Sequence, residues 1–278
     1  MKKNIALVTP LKNEIDNLPK LIKSIELQSM CIFSWVIIEN DSDDGSTEYL
    51  NRLIKVENVQ NLKVLHLEFE NKDYQLGIKY STIVKHGFEY LQATDYFDKI
   101  EYIGILDADC FPESNYYRKL IQHFEKDFLL GIASGIIKYP DNTIEKSNAD
   151  RARGGCRLWR IECFNNNSYE IGMSADSISG AKALLNGWSV NSFEDAMVFS
   201  RKVGSRYTSM YPGISAYYRW VPLHYILIKF FLLILKFQFK EAYGLLSGYI
   251  YAMAKKIERL ENQSVAKYYK KILFKKFK

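Results

Sequence analysis

The sequence predicts an α/β protein with a mostly parallel central sheet flanked by helices, followed by a helical extension at the C-terminus. Two observations support this fold class. Short apolar runs alternate with amphipathic segments through the first half of the chain, as in repeated strand–helix units. Acidic and polar residues directly follow two of these runs, at the strand ends where such sheets bind ligands. With 278 residues, 47% of them hydrophobic, the chain can bury a full core.

The individual elements follow from the periodicity of the apolar residues. Four apolar runs predict buried strands, at residues 4–9, 35–38, 62–67 and 102–106. Apolar residues at helical spacing predict helices at residues 18–25, 47–56, about 76–91 and 116–124. Asp16 precedes the first helix and is predicted to be its N-cap. Strands and helices therefore alternate regularly as far as residue 124.

Composition and charge exclude several classes of protein. The four cysteines form no CxxC pair and no metal-like spacing with the four histidines, so neither a zinc site nor a disulfide framework is predicted. Residues 1–3 lead directly into a short apolar run without the features of a signal peptide, which favours a cytoplasmic location. The net charge of +6 equals the six lysines of residues 267–278, where no acidic residue occurs. Apolar residues between these lysines favour an anionic membrane surface, although a solvated tail fits as well.

Two carboxylates, Asp107 and Asp109, follow the strand predicted at residues 102–106. Residues i and i+2 of an extended segment point the same way, so two unpaired carboxylates there repel each other and raise each other's pKa. A hard divalent cation relieves this repulsion, since Mg²⁺ or Mn²⁺ binds to one or two carboxylates together with the oxygens of a diphosphate. Taken alone, an Asp-x-Asp sequence also fits a turn or the start of a helix.

A second cluster of polar residues follows the strand predicted at residues 35–38. Residues 39–47 read Glu-Asn-Asp-Ser-Asp-Asp-Gly-Ser-Thr. Their carboxylates, amides and hydroxyls can accept hydrogen bonds from a nucleobase and a ribose. Alternatively, Ser46 or Thr47 is the N-cap of the next helix. Both interpretations are compatible, because a capped helix would hold the loop that carries Glu39.

Three motifs occur in order, each at the end of a predicted strand. They are Thr-Pro-Leu-Lys-Asn-Glu at residues 9–14, Ile-Ile-Glu-Asn-Asp-Ser-Asp-Asp-Gly-Ser at 37–46 and Leu-Asp-Ala-Asp at 106–109. Together they resemble the motifs of the family-2 glycosyltransferases, which are inverting enzymes of the GT-A fold, over roughly residues 4–137. Glu39 replaces the first Asp of the family's middle motif and Asp41 its first Gly, while the length of the motif is preserved.

The resemblance implies a nucleotide-sugar site at these strand ends. It assigns to this site Thr9, Pro10, Asn13, Glu14, Glu39, Ser42, Lys79, Asp107 and Ala108. Within it, Glu39 meets the nucleobase, Asp107 contacts the ribose and the metal, and Asp109 ligates an Mn²⁺ or Mg²⁺ ion bound to the diphosphate. Lys79 stands where the family often has a basic residue, but the usual Ala-Arg-Asn pattern is absent.

The resemblance also implies a catalytic base. In the family, an Asp in an E-D-x-D-L segment takes the proton of the acceptor hydroxyl, ahead of a helix that ends about a dozen residues later in Gly-Trp. Asp176, followed by Lys182 and by Gly187-Trp188, reproduces this spacing and is the predicted base.

A second acidic pair, Glu194 and Asp195, is the rival for this role. Asp176 is preferred because it matches both the helix and the strand that follows it, which places the rival pair one strand later. Many relatives have a further metal-binding His shortly after that strand, where this chain has Phe199 and Ser200. This departure weakens the prediction that catalysis requires a metal.

Residues 151–160 contain four arginines and a tryptophan. Arginine forks match oxyanions and tryptophan stacks on sugar faces, so this run fits the binding of a phosphate or a sugar of the acceptor. It fits a surface helix with solvated arginines equally well. Residues 165–168, Asn-Asn-Asn-Ser, predict a loop.

The domain organisation places catalysis before a helical extension. The catalytic domain is predicted at residues 1–215, with a nucleotide-sugar half at 1–137, an acceptor half at 138–215, and a basic extension at 216–278. Residues 223–237 are strongly apolar, but Lys229 interrupts them and leaves an unbroken core too short to span a bilayer. With a second helix at 244–253, they predict an interfacial membrane-binding element or, alternatively, a helical hairpin packed on the catalytic domain.

Together, these features predict an inverting glycosyltransferase of the hexosyltransferase type. The expected donor is a UDP- or GDP-sugar, and the expected acceptor is a glycan or lipid-linked glycan in bacterial surface polysaccharide synthesis at the inner face of the cell membrane. Nucleic acid is not an expected partner. The alternatives are a catalytically silent nucleotide-sugar binder or membrane scaffold, and a sugar-phosphate nucleotidyltransferase. The latter is disfavoured because residues 10–14 lack the Gly-rich, Arg-containing loop that it would have after the first strand.

Overall fold

A computed structural model describes residues 3–53, 55–69, 77–145, 150–201 and 210–271. The chain forms two compact units, residues 1–202 and 203–278. The predicted functional boundary after residue 215 stays a prediction. Two further predictions lie partly outside the described residues, namely the start of the third helix at about residue 76 and the end of the basic tail at residues 272–278.

The first unit alternates strands and helices along the chain. Its strands are β1 Ile5–Leu11, β2 Ile32–Glu39, β3 Val59–His66, β4 Tyr102–Leu106, β5 Cys110–Pro112, β6 Leu130–Lys138, β7 Ile144–Glu145, β8 Cys156–Arg160 and β9 Ser189–Ser200. Its helices are α1 Leu18–Glu26, α2 Ser46–Asn51, α3 Ile78–Gln92, α4 Tyr116–Lys126, α5 Ile161–Asn167 and α6 Ala175–Leu185. The four predicted strands and the helices at α1, α3 and α4 are confirmed.

The strands form one sheet in the order β3-β2-β1-β4-β8-β6-β9-β5, with β7 paired to β6. The pairs β3-β2, β2-β1, β1-β4 and β6-β9 are parallel, whereas β8 runs antiparallel to both β4 and β6. The predicted α/β class with a mostly parallel sheet is confirmed. Because β1, β2 and β4 are parallel neighbours, the loops that follow them meet at one edge of the sheet.

Helices cover both faces of this sheet, as a parallel sheet requires. In β1, Ile5 and Leu7 pack against the core formed with α1, α2 and α4. The alternate residues, Ala6 and Val8, pack against the core formed with α3, α5 and α6. The period of two in a strand thus divides one apolar run between two cores. This rigid layer fixes the positions of the loops at its edge.

The capping predictions are wrong at two helices. Asn17, not Asp16, is the N-cap of α1, because the Glu14 carbonyl accepts the N–H groups of both Asn17 and Leu18 and closes a turn ahead of the helix. For α2, the N-cap is Gly45 at φ +93°, rather than Ser46 or Thr47. This left-handed backbone favours glycine. Helix α2 also ends at Asn51, short of the predicted residue 56.

Two further predictions, in the arginine-rich region, are also wrong. Residues Cys156–Arg160 form strand β8 rather than a surface helix, and Asn165–Asn167 end helix α5 instead of forming a loop. Strand β8 is paired along both edges, with β4 and β6, and its successive residues Leu158 and Trp159 are buried in the cores on opposite faces of the sheet. A strand buried on both faces has no polar–apolar alternation to reveal it.

The second unit is helical. It contains α7 Tyr211–Tyr218, α8 Leu223–Leu235, α9 Phe239–Ala254 and α10 Gln263–Lys270. Helices α8 and α9 form the predicted pair of consecutive apolar helices and contact each other. Gly213 of α7 lies so close to the Leu245 carbonyl of α9 that a Cβ there would be 2.1 Å from it. None of the helices in the described ranges is long and apolar enough to cross a bilayer.

Candidate functional site

Asp107 lies just beyond the carboxyl end of β4 and is held by the protein. Its Oδ1 accepts a 2.7 Å hydrogen bond from the Tyr80 hydroxyl, and its backbone N–H donates to the Gly155 carbonyl at 2.7 Å. A Cβ on Gly155 would lie 2.2 Å from Asp107 Oδ2, so the backbone of residue 155 approaches this carboxylate directly. Burial and the nearby charge of Asp109 raise the pKa of Asp107 from 3.8 to about 7.

Replacing Asp107 with Asn is expected to stabilise the fold most at alkaline pH. Between pH 3.8 and about 7 the folded chain binds more protons at this group than the unfolded chain, so wild-type stability falls as pH rises through that window. The variant lacks this loss, and its gain approaches at most about 4 kcal/mol above pH 7, less because the side chain is partly exposed. Urea unfolding at pH 5 and pH 8 measures it; a gain that is equal at both pH values contradicts the prediction.

Asp109 is paired with an arginine from the far end of the first unit. Arg201, which follows β9, donates from Nε to Asp109 Oδ2 at 3.2 Å and from Nη2 to Glu14 Oε1. Glu14 is 7% exposed and lies in the loop after β1. One guanidinium therefore joins the ends of β1, β4 and β9. Asp109 and Glu14 both place negative charge at this edge of the sheet. A cation bound together with the nucleotide-sugar donor would need such charge.

The two predicted metal ligands, Asp107 and Asp109, differ in how the protein surrounds their carboxylates. The described residues contain no group of three or more His, Cys, Asp or Glu side chains arranged to hold a metal ion. Among the described residues, Asp109 Oδ1 makes a weak contact with the Cys110 thiol at 3.9 Å, whereas both oxygens of Asp107 face protein groups. Asp109 thus fits a Mg²⁺ or Mn²⁺ ion that takes one protein carboxylate and completes its shell with phosphate and water. Asp107 fits the same role less well.

Glu39, expected to meet the nucleobase, is 4% exposed and holds its own loop. Its Oε1 accepts the Ser42 N–H at 2.7 Å and its Oε2 pairs with His66 Nδ1 at 3.0 Å. Burial tends to raise the pKa of this carboxyl, but the hydrogen bonds from His66 and Ser42 outweigh it and hold the pKa below the usual range. In this structure Glu39 stabilises its own loop through hydrogen bonds. Its contact with a nucleobase stays a prediction.

The loop after β1 is tied to the loop after β2. Asn13 donates its N–H to Ser42 Oγ at 3.0 Å, and its side-chain amide bonds Asp43 at 2.7 Å. The Glu14 N–H donates to Ser46 Oγ at 3.0 Å. The predicted residues Asn13, Glu14 and Ser42 are therefore brought together, as one hydrogen-bonded pair of loops.

The remaining predicted donor residues differ in their accessibility. Thr9 is fully buried, and its Oγ1 accepts the Trp35 Nε1–H at 2.9 Å. Ala108 is buried as well, whereas Pro10 lies half-buried in β1. Lys79, in the first turn of α3, lies 3.8 Å from Asp41 Oδ2 and 4.6 Å from the centre of the Phe69 ring. Lys79 thus reaches the loop after β2, and its role in nucleotide-sugar binding stays a prediction.

Asp176, the predicted base, lies in the first turn of α6 close to the Asp107 side of the site. A Cβ on Gly154 would lie 2.2 Å from its Oδ2, and the neighbouring Gly155 approaches Asp107 in the same way. Arg157 Nη2 lies 3.7 Å from Asp176 Oδ1. The glycine pair therefore lets two carboxylates approach one turn of the backbone from different elements.

The rival pair lies in an irregular part of β9. Phe193 pairs with Gly135 of β6 and Met197 with the next residue, so Glu194 and Asp195 lie within a shift of the pairing register. Asp195 binds His123 of α4 at 2.9 Å, and the His123 ring stacks on Phe193 at 3.6 Å. These contacts hold Asp195 against helix α4, whereas Asp176 lies against the Gly154–Gly155 turn beside Asp107.

Three residues of the site were missed by sequence reasoning. Tyr80, Arg157 and Arg201 each contact a predicted site residue. Arg157 belongs to the run of arginines noticed in the sequence, but no spacing related it to Asp176. Tyr80 and Arg201 belong to no motif, and only the fold brings them to Asp107 and Asp109.

Comparison with known proteins identifies relatives of this fold. The family model described as glycosyl transferase family 2 matches residues 6–185. No curated protein sequence matches the chain. Among solved structures, Staphylococcus aureus TarS is 14% identical with a TM-score of 0.56, and the match covers 77% of this chain and 39% of TarS, so the chain spans well under half of that protein.

Shorter and differently sourced structures match over more of their length. TarS residues 1–349 in complex with UDP-GlcNAc is 12% identical with a TM-score of 0.56, over 94% of this chain and 77% of that one. The mannosyltransferase PcManGT from Pyrobaculum calidifontis, in complex with GDP-Man and Mn²⁺, is 14% identical with a TM-score of 0.55, over 96% and 78%. At these identities the similarity shows the fold.

Proposed function

This chain belongs to glycosyl transferase family 2, and from that premise we propose that it transfers a hexose from a nucleoside-diphosphate sugar to a hydroxyl of a glycan or lipid-linked glycan, with inversion. The observation that carries the proposal is the approach of Asp107 and Asp176 to the Gly154–Gly155 turn, beside Asp109. The carboxylates proposed to bind the nucleotide-sugar donor and the carboxylate proposed as general base thus lie at the same edge of the sheet. This is the edge where parallel sheets bind ligands.

In the proposed mechanism the donor binds across the loops after β1, β2 and β4. The hydrogen-bonded loops of Asn13 and Ser42 would hold the nucleoside, and Asp109 would hold the cation of the diphosphate. When bound, that cation supplies positive charge that offsets the leaving diphosphate. The proposed donors are UDP- or GDP-sugars, the nucleotide classes bound by TarS and PcManGT.

The acceptor hydroxyl must lose a proton as it attacks the anomeric carbon. Inversion requires attack from the side opposite the leaving diphosphate, so the base must lie across the sugar from Asp109. Asp176 lies on a different element from Asp107 and Asp109, and its Oδ2 lies against the glycine turn. We assign it the role of general base, which accepts the hydroxyl proton on this oxygen.

Thermal unfolding tests the donor assignment. A nucleoside diphosphate or its sugar is expected to raise the melting temperature by several degrees in the presence of Mn²⁺, because a ligand at 100 times its Kd stabilises a protein by about 2.7 kcal/mol. The panel contains UDP, GDP and their hexose conjugates. Asp109→Asn is expected to abolish the Mn²⁺-dependent part of the shift.

Asp98→Asn is the matched control, since the same chemical change is made at an exposed residue before the amino end of β4. It should retain the whole shift. No shift with any nucleotide would contradict the proposed function. A shift without release of free nucleoside diphosphate from any donor, across glycan and lipid-linked acceptors, would favour the silent nucleotide-sugar binder instead.

We further propose that the second unit attaches the enzyme to an anionic membrane, at the inner face of a bacterial cell. One stripe of α8 carries exposed apolar residues at helical spacing: Leu227, Ile228, Phe231, Leu232 and Leu235. Phe231 is 62% exposed and Leu235 75%, and Phe237 of the following turn is 82% exposed. Contiguous exposed apolar surface of this kind marks an interaction site.

Lysines accompany this stripe. Lys229, Lys236 and Lys240 are exposed on α8, the turn and the start of α9, and the sequence ends in the six lysines of residues 267–278. Apolar residues that insert between lipids and lysines that meet anionic head groups are the two components of an interfacial helix. An enzyme held there would reach acceptors linked to lipid, which supports a role in surface polysaccharide synthesis.

A further inference from the structure

Arg157 is a buried cation in the middle of the sheet. It lies in β8, opposite Ile105 of β4 and Ser134 of β6, and its side chain is 2% exposed. Removing a guanidinium from water costs several kcal/mol unless its donors and its charge are both satisfied. Its surroundings therefore determine why an arginine occupies this position.

Three backbone carbonyls satisfy its donors. Nε donates to Arg153 O at 2.7 Å, Nη2 to Ala152 O at 3.1 Å and Nη1 to Asp176 O at 3.0 Å. The guanidinium also lies 5.4 Å from the centre of the Trp159 ring. These contacts hold the guanidinium in one orientation, and they join the loop before β8 to the first turn of α6.

Carbonyls do not neutralise the charge, and the carboxylate of Asp176 does. Its Oδ1 lies 3.7 Å from Arg157 Nη2, in a buried position where it accepts no hydrogen bond from any described residue. The Asp176 side chain is nevertheless 34% exposed, so its exposed surface lies on the rest of the side chain, which includes Oδ2. The two oxygens of one carboxylate thus have different surroundings.

We propose that Arg157 is a positioning residue that holds Asp176 with Oδ1 inward against the guanidinium, so that the other oxygen, Oδ2, is presented to the acceptor. The proposal rests on the role of Asp176 as base. Arg157 donates a hydrogen bond to the Asp176 carbonyl and pairs with the Asp176 carboxylate. The direction of Oδ2 is therefore fixed before an acceptor binds. Such preorganisation matters because displacing a reacting group by about 1 Å can cost on the order of 10²-fold in rate.

The charge of Arg157 has a second purpose. Asp107, Asp109 and Asp176 lie close enough to repel one another, and the charge of Arg157 opposes this repulsion at Asp107. Arg157 acts on the cluster from within the sheet, whereas a cation of the donor would act from the solvent side. Part of the charge that balances the cluster is therefore in place before the donor arrives.

The test compares Arg157→Met and Arg157→Lys with the matched control Arg160→Met. Arg160, three residues along β8, donates to the carbonyls of Leu130, Phe124 and Asp127 and, within the described chain, forms no ion pair. Its loss removes the same kind of backbone support without touching Asp176. Rates of sugar transfer give kcat and the KM for the acceptor, and thermal shift measures donor binding separately.

In Arg157→Met, kcat is expected to fall on the order of 10- to 100-fold with donor binding unchanged. Arg157→Lys, which keeps a cation beside Asp176, should recover part of kcat, whereas Arg160→Met should leave kcat near the wild-type value. A wild-type kcat in Arg157→Met, or an equal loss in Arg160→Met, would overturn the proposal.

A double-mutant cycle of unfolding stability measures the coupling between Arg157 and Asp176 without an activity assay. The effects of Arg157→Met and Asp176→Asn on the unfolding midpoint should be non-additive, with the double variant more stable than the sum of the single changes predicts, because each single change leaves a buried partner unpaired. Additive effects overturn the inference. A wild-type protein that binds no nucleotide and transfers no sugar would instead contradict the proposed function. The cycle would still show whether Arg157 and Asp176 are coupled. If Arg157→Met does not fold, the cycle uses Arg157→Gln, which removes the charge but can still donate to a backbone carbonyl.

Discussion

Replacing Asp176 with Asn is expected to lower kcat by roughly 10²- to 10⁴-fold, the usual contribution of a general base. The amide has the shape of the carboxylate but cannot accept the proton of the acceptor hydroxyl. Donor binding should change little, because the nucleotide loops follow β1, β2 and β4 whereas Asp176 belongs to α6. Initial rates at saturating donor measure kcat, and the thermal shift with nucleotide and Mn²⁺ measures donor binding.

Asp195→Asn provides the matched control, since it makes the same change at the rival position. Asp195 is bound to His123 of α4, so the variant is expected to lose that contact and keep near wild-type activity. The opposite pattern, an active Asp176→Asn and an inactive Asp195→Asn, would transfer the role of base to β9. Circular dichroism of both variants checks that the chain is folded.

Placing two glutamates on the exposed stripe of α8, as Phe231→Glu with Leu235→Glu, is expected to weaken binding to anionic vesicles by more than roughly tenfold. Burying a Phe or a Leu side chain contributes roughly 1.5–3 kcal/mol each, and a glutamate at either position is repelled by the head groups. Co-sedimentation with vesicles of phosphatidylglycerol and phosphatidylethanolamine measures the partition. Wild type should bind, and binding should fall in high salt.

Gln263→Glu with Ser264→Glu is the matched control for charge. Both residues are exposed in the first turn of α10, where acidic residues also suit the helix dipole. This variant adds the same two negative charges away from the stripe and should retain most of the vesicle binding. Equal loss in both variants would reduce the effect to net charge. A lipid-free wild-type dimer that the α8 variant dissociates would show instead that the stripe joins two copies of the chain.

The sequence was most informative where one face of an element is polar. The switch between apolar runs and helical spacing predicted β1 to β4 and the helices between them, and the acidic strand ends predicted where a ligand would bind. Strand β8 was not predicted, because burial on both faces and the interspersed Arg157 and Arg160 leave no period to detect. Periodicity reports a boundary between core and solvent, and β8 has none.

Contacts between residues distant along the chain were beyond sequence reasoning. Arg201 reaches Glu14 across 187 residues and Asp109 across 92. Motif resemblance named the two carboxylates, since each belongs to a local pattern at a strand end. It could not name their arginine, because ion pairing across a fold leaves no spacing in the sequence. Similarly, the resemblance predicted that Glu39 contacts the nucleobase. In the structure, both of its carboxylate oxygens form contacts within the protein.

The pairing of β5 with β9 has a consequence for the order in which the protein is made. Cys110 lies opposite Ser200, so the strand that follows Asp109 gains its neighbour only when residues near 200 exist. During translation, a chain that has emerged as far as β8 already has β1 to β4 in place but leaves β5 unpaired and Asp109 without Arg201. Such distant pairings form late and slowly. Premature termination before residue 200 would therefore yield a partly ordered sheet with an open edge, a target for proteolysis or aggregation.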